Sequence, residues 1–176
     1  MRRKTARELA LHLIYEQEFT HGDPEEAVAA RLEPDYYNQL KQENTVYSEQ
    51  PDAFQTAYIQ NVVSGVAGKK EYLNSQIRKF AIGWDVKRIS RIVVAALQLA
   101  MYEIRFVEDV PTGVAISEAV RLAKLYDGEE SGPFVNGILG SFAKAPAEET
   151  APEIPESVSA EPEAEPETSA ENEDAQ

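Results

Sequence analysis

The chain has 176 residues, 17 Lys and Arg against 31 Asp and Glu, and a formal charge of −14. A chain of this length holds one domain with room for an appendage. It contains no cysteine, which excludes disulfides, thiolate metal sites and a cysteine nucleophile.

The longest apolar run, residues 92–97, falls far short of the roughly 20 residues a membrane span needs. No hydrophobic leader opens the sequence, so a cytoplasmic location with no membrane partner is expected. The charge is unevenly spread. Residues 146–176 hold eleven acids, five of the ten prolines and no Lys or Arg, leaving 20 acids and 17 bases in residues 1–145. The acidity therefore belongs mostly to the tail and does not argue against a polyanionic partner for the body. A segment so polar and so poor in aromatics is expected to be disordered. We place the domain at 1–145 and the acidic tail at 146–176.

The body reads as helices throughout. Residues 5–19 carry Ala6, Leu9, Ala10, Leu13 and Ile14 at amphipathic spacing. Gly22, Asp23 and Pro24 end that helix, and 24–32 predicts a short second one. Residues 33–51 are polar and poorly periodic and predict a loop. Asp52 with Gln55 forms a capping-box pattern. Phe54, Ala57, Tyr58, Val62 and Val66 continue it at helical spacing, with Gly65 and Gly68 weakening the end. Residues 69–82 place Tyr72, Leu73, Ile77 and Phe80 on one side, with Gly83 as a stop.

Asp85 predicts an N-cap for a helix over 86–107. The middle of that helix is apolar nearly all round, as befits a central one. Pro111 falls in a connection, and 114–126 is again helical until Asp127-Gly128. Ser131 predicts the cap of a last helix, with Pro133 in its first turn. Phe134, Ile138, Leu139 and Phe142 form its buried stripe. Asn136-Gly137 also fits a hairpin turn, but no other segment reads as a good strand. The sum is an all-α domain of about seven helices.

Arg2, Arg3, Lys4 and Arg7 crowd the start of the first helix, where the macrodipole already contributes about half a positive charge. Basic residues there cost stability unless an anion meets them. Arg3 and Arg7 are one turn apart, and free backbone N–H groups beside them suit phosphate oxygens. A solvated, fraying terminus is the plainer alternative. A mitochondrial presequence is a third, weakened by Glu8, Glu16 and Glu18. Tyr15 can stack on an unpaired base or sit half-buried with its hydroxyl in water. The turn into the last helix, 131–137, is a second anion-site candidate, and Asn136 suits either base edges or backbone capping.

Enzyme chemistries find little support. His12 and His21 lack metal-ligand spacing. There is no Gly-rich phosphate loop and no G-x-S-x-G. Glu129-Glu130 sits in polar surroundings. No catalytic residue, metal or cofactor is expected.

Three stretches together resemble the NusB family of bacterial transcription antitermination factors. The first is Arg3-Lys4-Thr5-Ala6-Arg7-Glu8-Leu9 and onward to Tyr15. The second contains Tyr72-Leu73-Asn74, Gly83-Trp84 and Leu97-Gln98-Leu99-Ala100-Met101-Tyr102-Glu103-Ile104. The third joins Val110-Pro111-Thr112-Gly113-Val114 and Ser117-Glu118-Ala119-Val120 to Phe134-Val135-Asn136-Gly137. The likeness covers roughly residues 2–144.

The resemblance implies two packed helical halves. It implies binding of single-stranded boxA RNA in nascent ribosomal RNA transcripts, pairing with NusE (a small-subunit ribosomal protein), and entry into the RNA polymerase elongation complex. A homodimer is left open. By position it implies RNA contacts at Arg3, Lys4, Arg7 and Tyr15, with Phe134 and Glu130 at or beside that surface; Arg2 rests on charge alone. The chain departs from the family pattern at Thr5, Val93-Val94, Gln98 and Ser117. The alternatives are an RNA-recruiting domain like that of some ribosomal RNA methyltransferases, and a helical interaction module with no RNA role. The acidic tail invites two readings: competition with RNA for the basic helix, or solubility and spacing.

Overall fold

The structure is a computed structural model, and it describes residues 1–84 and 88–146. The described residues form eight α-helices, one short 3-10 turn and no strand. The first is α1, Arg3–Thr20, closed by His21 in the left-handed region at φ 51°. Helix α2, Pro24–Leu32, starts on Asp23, whose carboxylate accepts from the N–H groups of Glu25 and Glu26.

Residues 33–51 are not the loop that their polarity predicts. They fold into α3, Pro34–Leu40, and a 3-10 turn at Thr45–Tyr47. Pro34 fixes the first turn, and Glu33 accepts from Tyr36 N–H. Tyr37 is fully buried and its hydroxyl donates to Glu49 O at 2.9 Å. One buried tyrosine anchors a segment that lacks an amphipathic stripe.

Helix α4, Ala53–Gly68, opens on the predicted capping box of Asp52 and Gln55. Gly65 is a packing position: a Cβ there would overlap the Tyr102 ring. Helix α5, Lys70–Phe80, is followed by Gly83 at φ 82°, matching the predicted stop.

The central helix, α6, spans Arg91–Phe106 and is shorter than predicted. Ser90 caps it, accepting from Val93 N–H. The expected Asp85 cap lies outside the described residues, as does the expectation for 147–176. Helix α7 is Thr112–Tyr126 and α8 is Ser131–Lys144. Ser131 is not the α8 cap: Glu130 holds that position, and the Ser131 hydroxyl donates to Asp127 instead. Asn136-Gly137 lies inside α8, so the hairpin alternative falls.

The helices form two halves. Helices α1–α4 pack among themselves, α5–α8 do likewise, and α6 lies against α1 and α4 across the seam. Leu9, Leu13, Ile59, Leu73, Leu97, Leu99, Met101, Leu122, Leu139 and Phe142 fill one core. Each such side chain contributes about 1.5–3 kcal/mol on burial. The C-terminal end of α8 is fixed by Arg105, which donates to the carbonyls of Phe142 and Ala145 at 2.7 and 2.8 Å.

Candidate nucleic-acid interface

Helix α1 runs antiparallel to α6. Arg7 meets Glu103 near one end, and Phe19 meets Arg91 near the other. It runs parallel to α7: Arg7 faces Glu118, Glu8 faces Arg121, and His12 faces Tyr126. These directions bring the start of α1 to the end of α6. They bring the end of α1 to the start of α6, and the end of α7 to the middle of α1 at His12.

The first of these ends carries the basic residues. Arg2 is exposed at the N-cap position, without a side-chain cap, and no acid occupies the first turn of α1. Lys4 is exposed and makes no ion pair among the described residues. Arg3 is half-buried. Its guanidinium lies 4.0 Å over the Tyr58 ring and donates to Asp109 at 2.7 Å. That pair faces solvent, where such bonds are worth about 0–1 kcal/mol, so an incoming anion can displace the carboxylate.

Arg7 is placed differently from its neighbours. Only 3% of it is exposed. Its Nε donates to both Glu103 oxygens at 3.0 Å, and Nη2 donates to Oε1 at 2.9 Å. The Tyr58 hydroxyl donates to the same Oε1 at 2.7 Å. Burial acts to lower the Arg7 pKa, but the Glu103 bond and charge outweigh it, and the net shift is upward. Burial and the Glu103 charge push the Tyr58 hydroxyl up. The reading of Arg7 as an open phosphate donor therefore needs correction: its fork is occupied. A carboxylate buried on α6 requires a counter-charge, and Arg7 supplies it while holding the basic turn in place.

At the end of α7, the Tyr126 hydroxyl donates to Glu8 at 2.8 Å and lies 2.6 Å from His12 Nε2. The phenol has one proton and gives it to Glu8, so His12 Nε2–H is the donor to the phenol oxygen. Burial lowers the His12 pKa, opposed by Glu8 and assisted by Arg31. Arg121 also reaches Glu8, at 3.4 Å.

Tyr15 lies twelve residues beyond Arg3, about 18 Å along the helix. It is 36% exposed, and its ring meets Phe19 edge-to-face at 5.1 Å. Phe134 opens α8, largely buried, with its ring 4.7 Å from that of Trp84. Exposed Glu130 joins Phe134, Trp84, Arg88 and Asp127 around a cleft of about 540 Å³. The predicted residues thus fall in separate places: Arg2, Arg3 and Lys4 at the start of α1, Tyr15 further along that helix, and Glu130 and Phe134 around the cleft beside the start of α6.

Phe19 and Arg91, which the sequence did not single out, adjoin Tyr15 in the structure: the Phe19 ring meets Tyr15 and Arg91 lies over Phe19. Phe19 follows Tyr15 by four residues, the spacing of helical neighbours, and that signal was available. Of the positions where the chain departs from the family pattern, Gln98 is buried and donates to Asn74 at 2.8 Å, and Val93 is buried. Both serve the interior.

The sequence matches the NusB family over residues 4–144. A transcription antitermination protein NusB from Acetivibrio thermocellus is 42% identical over 144 residues, covering 82% of this chain and 90% of its own length. One from Carboxydothermus hydrogenoformans is 39% identical, covering 82% and 94%. Among solved structures, T. maritima NusB superposes with a TM-score of 0.68 at 28% identity, over 85% of this chain and 96% of its own. A chain from a crystal structure of a plectonemic RNA supercoil gives 0.64 at 26% identity, over 82% and 96%. Matched along nearly the whole helical body, with relatives aligned over most of their own length, this chain belongs to the NusB family of transcription antitermination proteins.

Proposed function

We propose that the chain binds boxA-type single-stranded RNA in nascent ribosomal RNA transcripts, pairs with NusE, and joins the elongating RNA polymerase to suppress termination. The work is recognition in the cytoplasm, with no bond made or broken by the protein. The observation that carries this reading is the start of α1. Arg2 and Lys4 are exposed there, without a carboxylate partner among the described residues, at a helix end that disfavours cations. A phosphate backbone supplies the missing charge.

In this reading Arg2, Arg3 and Lys4 meet phosphates, with Arg3 exchanging Asp109 for one of them. Tyr15 stacks on a base further along the strand. Phe134 and Glu130 border the RNA path, Phe134 through the aromatic surface it shares with Trp84. Arg7 acts from beneath, by fixing the turn that carries Arg3 and Lys4. No described helix is long and apolar enough to cross a membrane, and the reading requires none.

A fluorescence anisotropy titration with labelled boxA-like RNA and a scrambled control, with and without NusE, tests the proposal. Tighter binding to the boxA-like RNA, strengthened by NusE, is expected. Equal affinity for both RNAs contradicts it. The same samples, passed through analytical ultracentrifugation, show whether the RNA-bound form is a monomer or a homodimer.

A further inference from the structure

We propose a second base-stacking position one helical turn beyond Tyr15, formed by the Phe19 ring and completed by Arg91. It rests on the RNA reading above and extends the strand's path across the end of α1.

Phe19 is 53% exposed, whereas Leu13 and Ile14 on the same helix are buried. Its ring meets Tyr15 at 5.1 Å and an interplanar angle of 70°, so the two rings offer separate faces rather than one shared stack. The Arg91 guanidinium carbon lies 5.0 Å from the Phe19 centroid. Arg91 is exposed and has no carboxylate partner among the described residues.

The acids nearest Phe19 in the chain are already paired. Glu16 is held by Arg31, and Glu18 lies 2.9 Å from Lys70. Among the described residues Arg91 is therefore an uncompensated charge beside the open Phe19 ring, which itself adjoins Tyr15. That combination suits a single strand: a base stacks on the ring and a neighbouring phosphate meets the cation. An apolar protein surface also covers exposed phenylalanines. A desolvated, unpaired arginine is unfavourable under such a surface, and the direct continuity with Tyr15 favours the strand.

The test uses the full chain and the boxA-like RNA. Phe19→Ala should weaken binding about five- to hundredfold, the range of one lost stack, with the salt dependence unchanged. Phe19→Trp should restore affinity, and Phe19→Leu, equally apolar, should not. Arg91→Gln should flatten the logarithmic salt slope by about 0.7, the value for one contact to a single strand. Shortening the RNA by the nucleotide that reaches this position should weaken the wild type and leave Phe19→Ala unchanged.

Wild-type affinity in both Phe19→Ala and Arg91→Gln overturns the inference while leaving the RNA reading intact. So does a Phe19→Ala defect confined to the NusE-dependent gain, which assigns the ring to the protein partner. If the wild type itself does not prefer the boxA-like RNA, the functional reading fails and this position falls with it.

Discussion

Glu103, buried on α6, grips Arg7 of α1 through three hydrogen bonds of 2.9–3.0 Å. The pair crosses the seam between the two halves of the molecule, and Tyr58 of α4 adds its hydroxyl to the same carboxylate. Three helices thus meet at one buried charge pair, directly beneath the exposed basic turn.

Breaking that pair from either side leaves an uncompensated buried charge. Arg7→Gln and Glu103→Gln should each lower unfolding stability by about 3–5 kcal/mol. The double substitution should cost clearly less than the sum of the two. Chemical denaturation of the four proteins closes the cycle. Additive losses would show that the two side chains are not energetically coupled.

His12 makes stability depend on pH. Burial lowers its folded pKa below the ordinary 6.5. As pH falls below 6.5 the unfolded chain takes up a proton that the folded chain resists, so stability drops. His12→Gln, whose amide can still donate to Tyr126, should flatten this dependence between neutral pH and the start of carboxylate titration. Denaturant midpoints across that window measure it. Parallel pH profiles for the two proteins would contradict the assignment.

Arg105 holds Ala145 at the α6 end that also receives Arg2, Arg3 and Lys4. Ala145, three residues before the first of the eleven tail acids in the sequence, is thus held near the same end of α6 as Asp109, the partner of Arg3. Ending the chain after Ala145 should raise RNA affinity at low salt. The gain should fade as the Debye length shrinks to about 8 Å at physiological ionic strength and below it at higher salt. Anisotropy titrations at two salt concentrations decide this. Unchanged affinity at low salt would remove the tail from the electrostatics of binding.

Much of this architecture is legible in the sequence because helical periodicity is local. The capping box at Asp52, the stop at Gly83 and the all-round apolar middle of α6 each arise from a few neighbouring residues. What escapes is set by single side-chain contacts that periodicity does not encode. Residues 33–51 hide α3 because its anchor is a single tyrosine, Tyr37, held by Tyr47 and the Glu49 carbonyl rather than by a periodic stripe. Ser131 looks like a cap until Asp127 claims its hydroxyl. Arg7 reads as one more surface cation. The clue to its burial stands far away, in Glu103 on the buried face of α6, where a carboxylate must find a cation. The site is legible in part: Arg2, Lys4 and Tyr15 are open on the surface as expected. The Phe19–Arg91 contact depends on how α1 registers against α6, which no local pattern encodes.

In the proposed function, the unpaired cations at the start of α1 meet a polynucleotide backbone. Arg2→Gln and Lys4→Gln together remove the two free charges without touching the Arg7–Glu103 pair. The double variant should fold and be at least as stable as the parent because the macrodipole penalty is relieved. Its RNA affinity should fall, and its logarithmic salt slope should flatten by about 1.4, for two single-strand contacts. A folded double variant that binds boxA-like RNA with undiminished affinity and an unchanged salt slope would contradict that proposal.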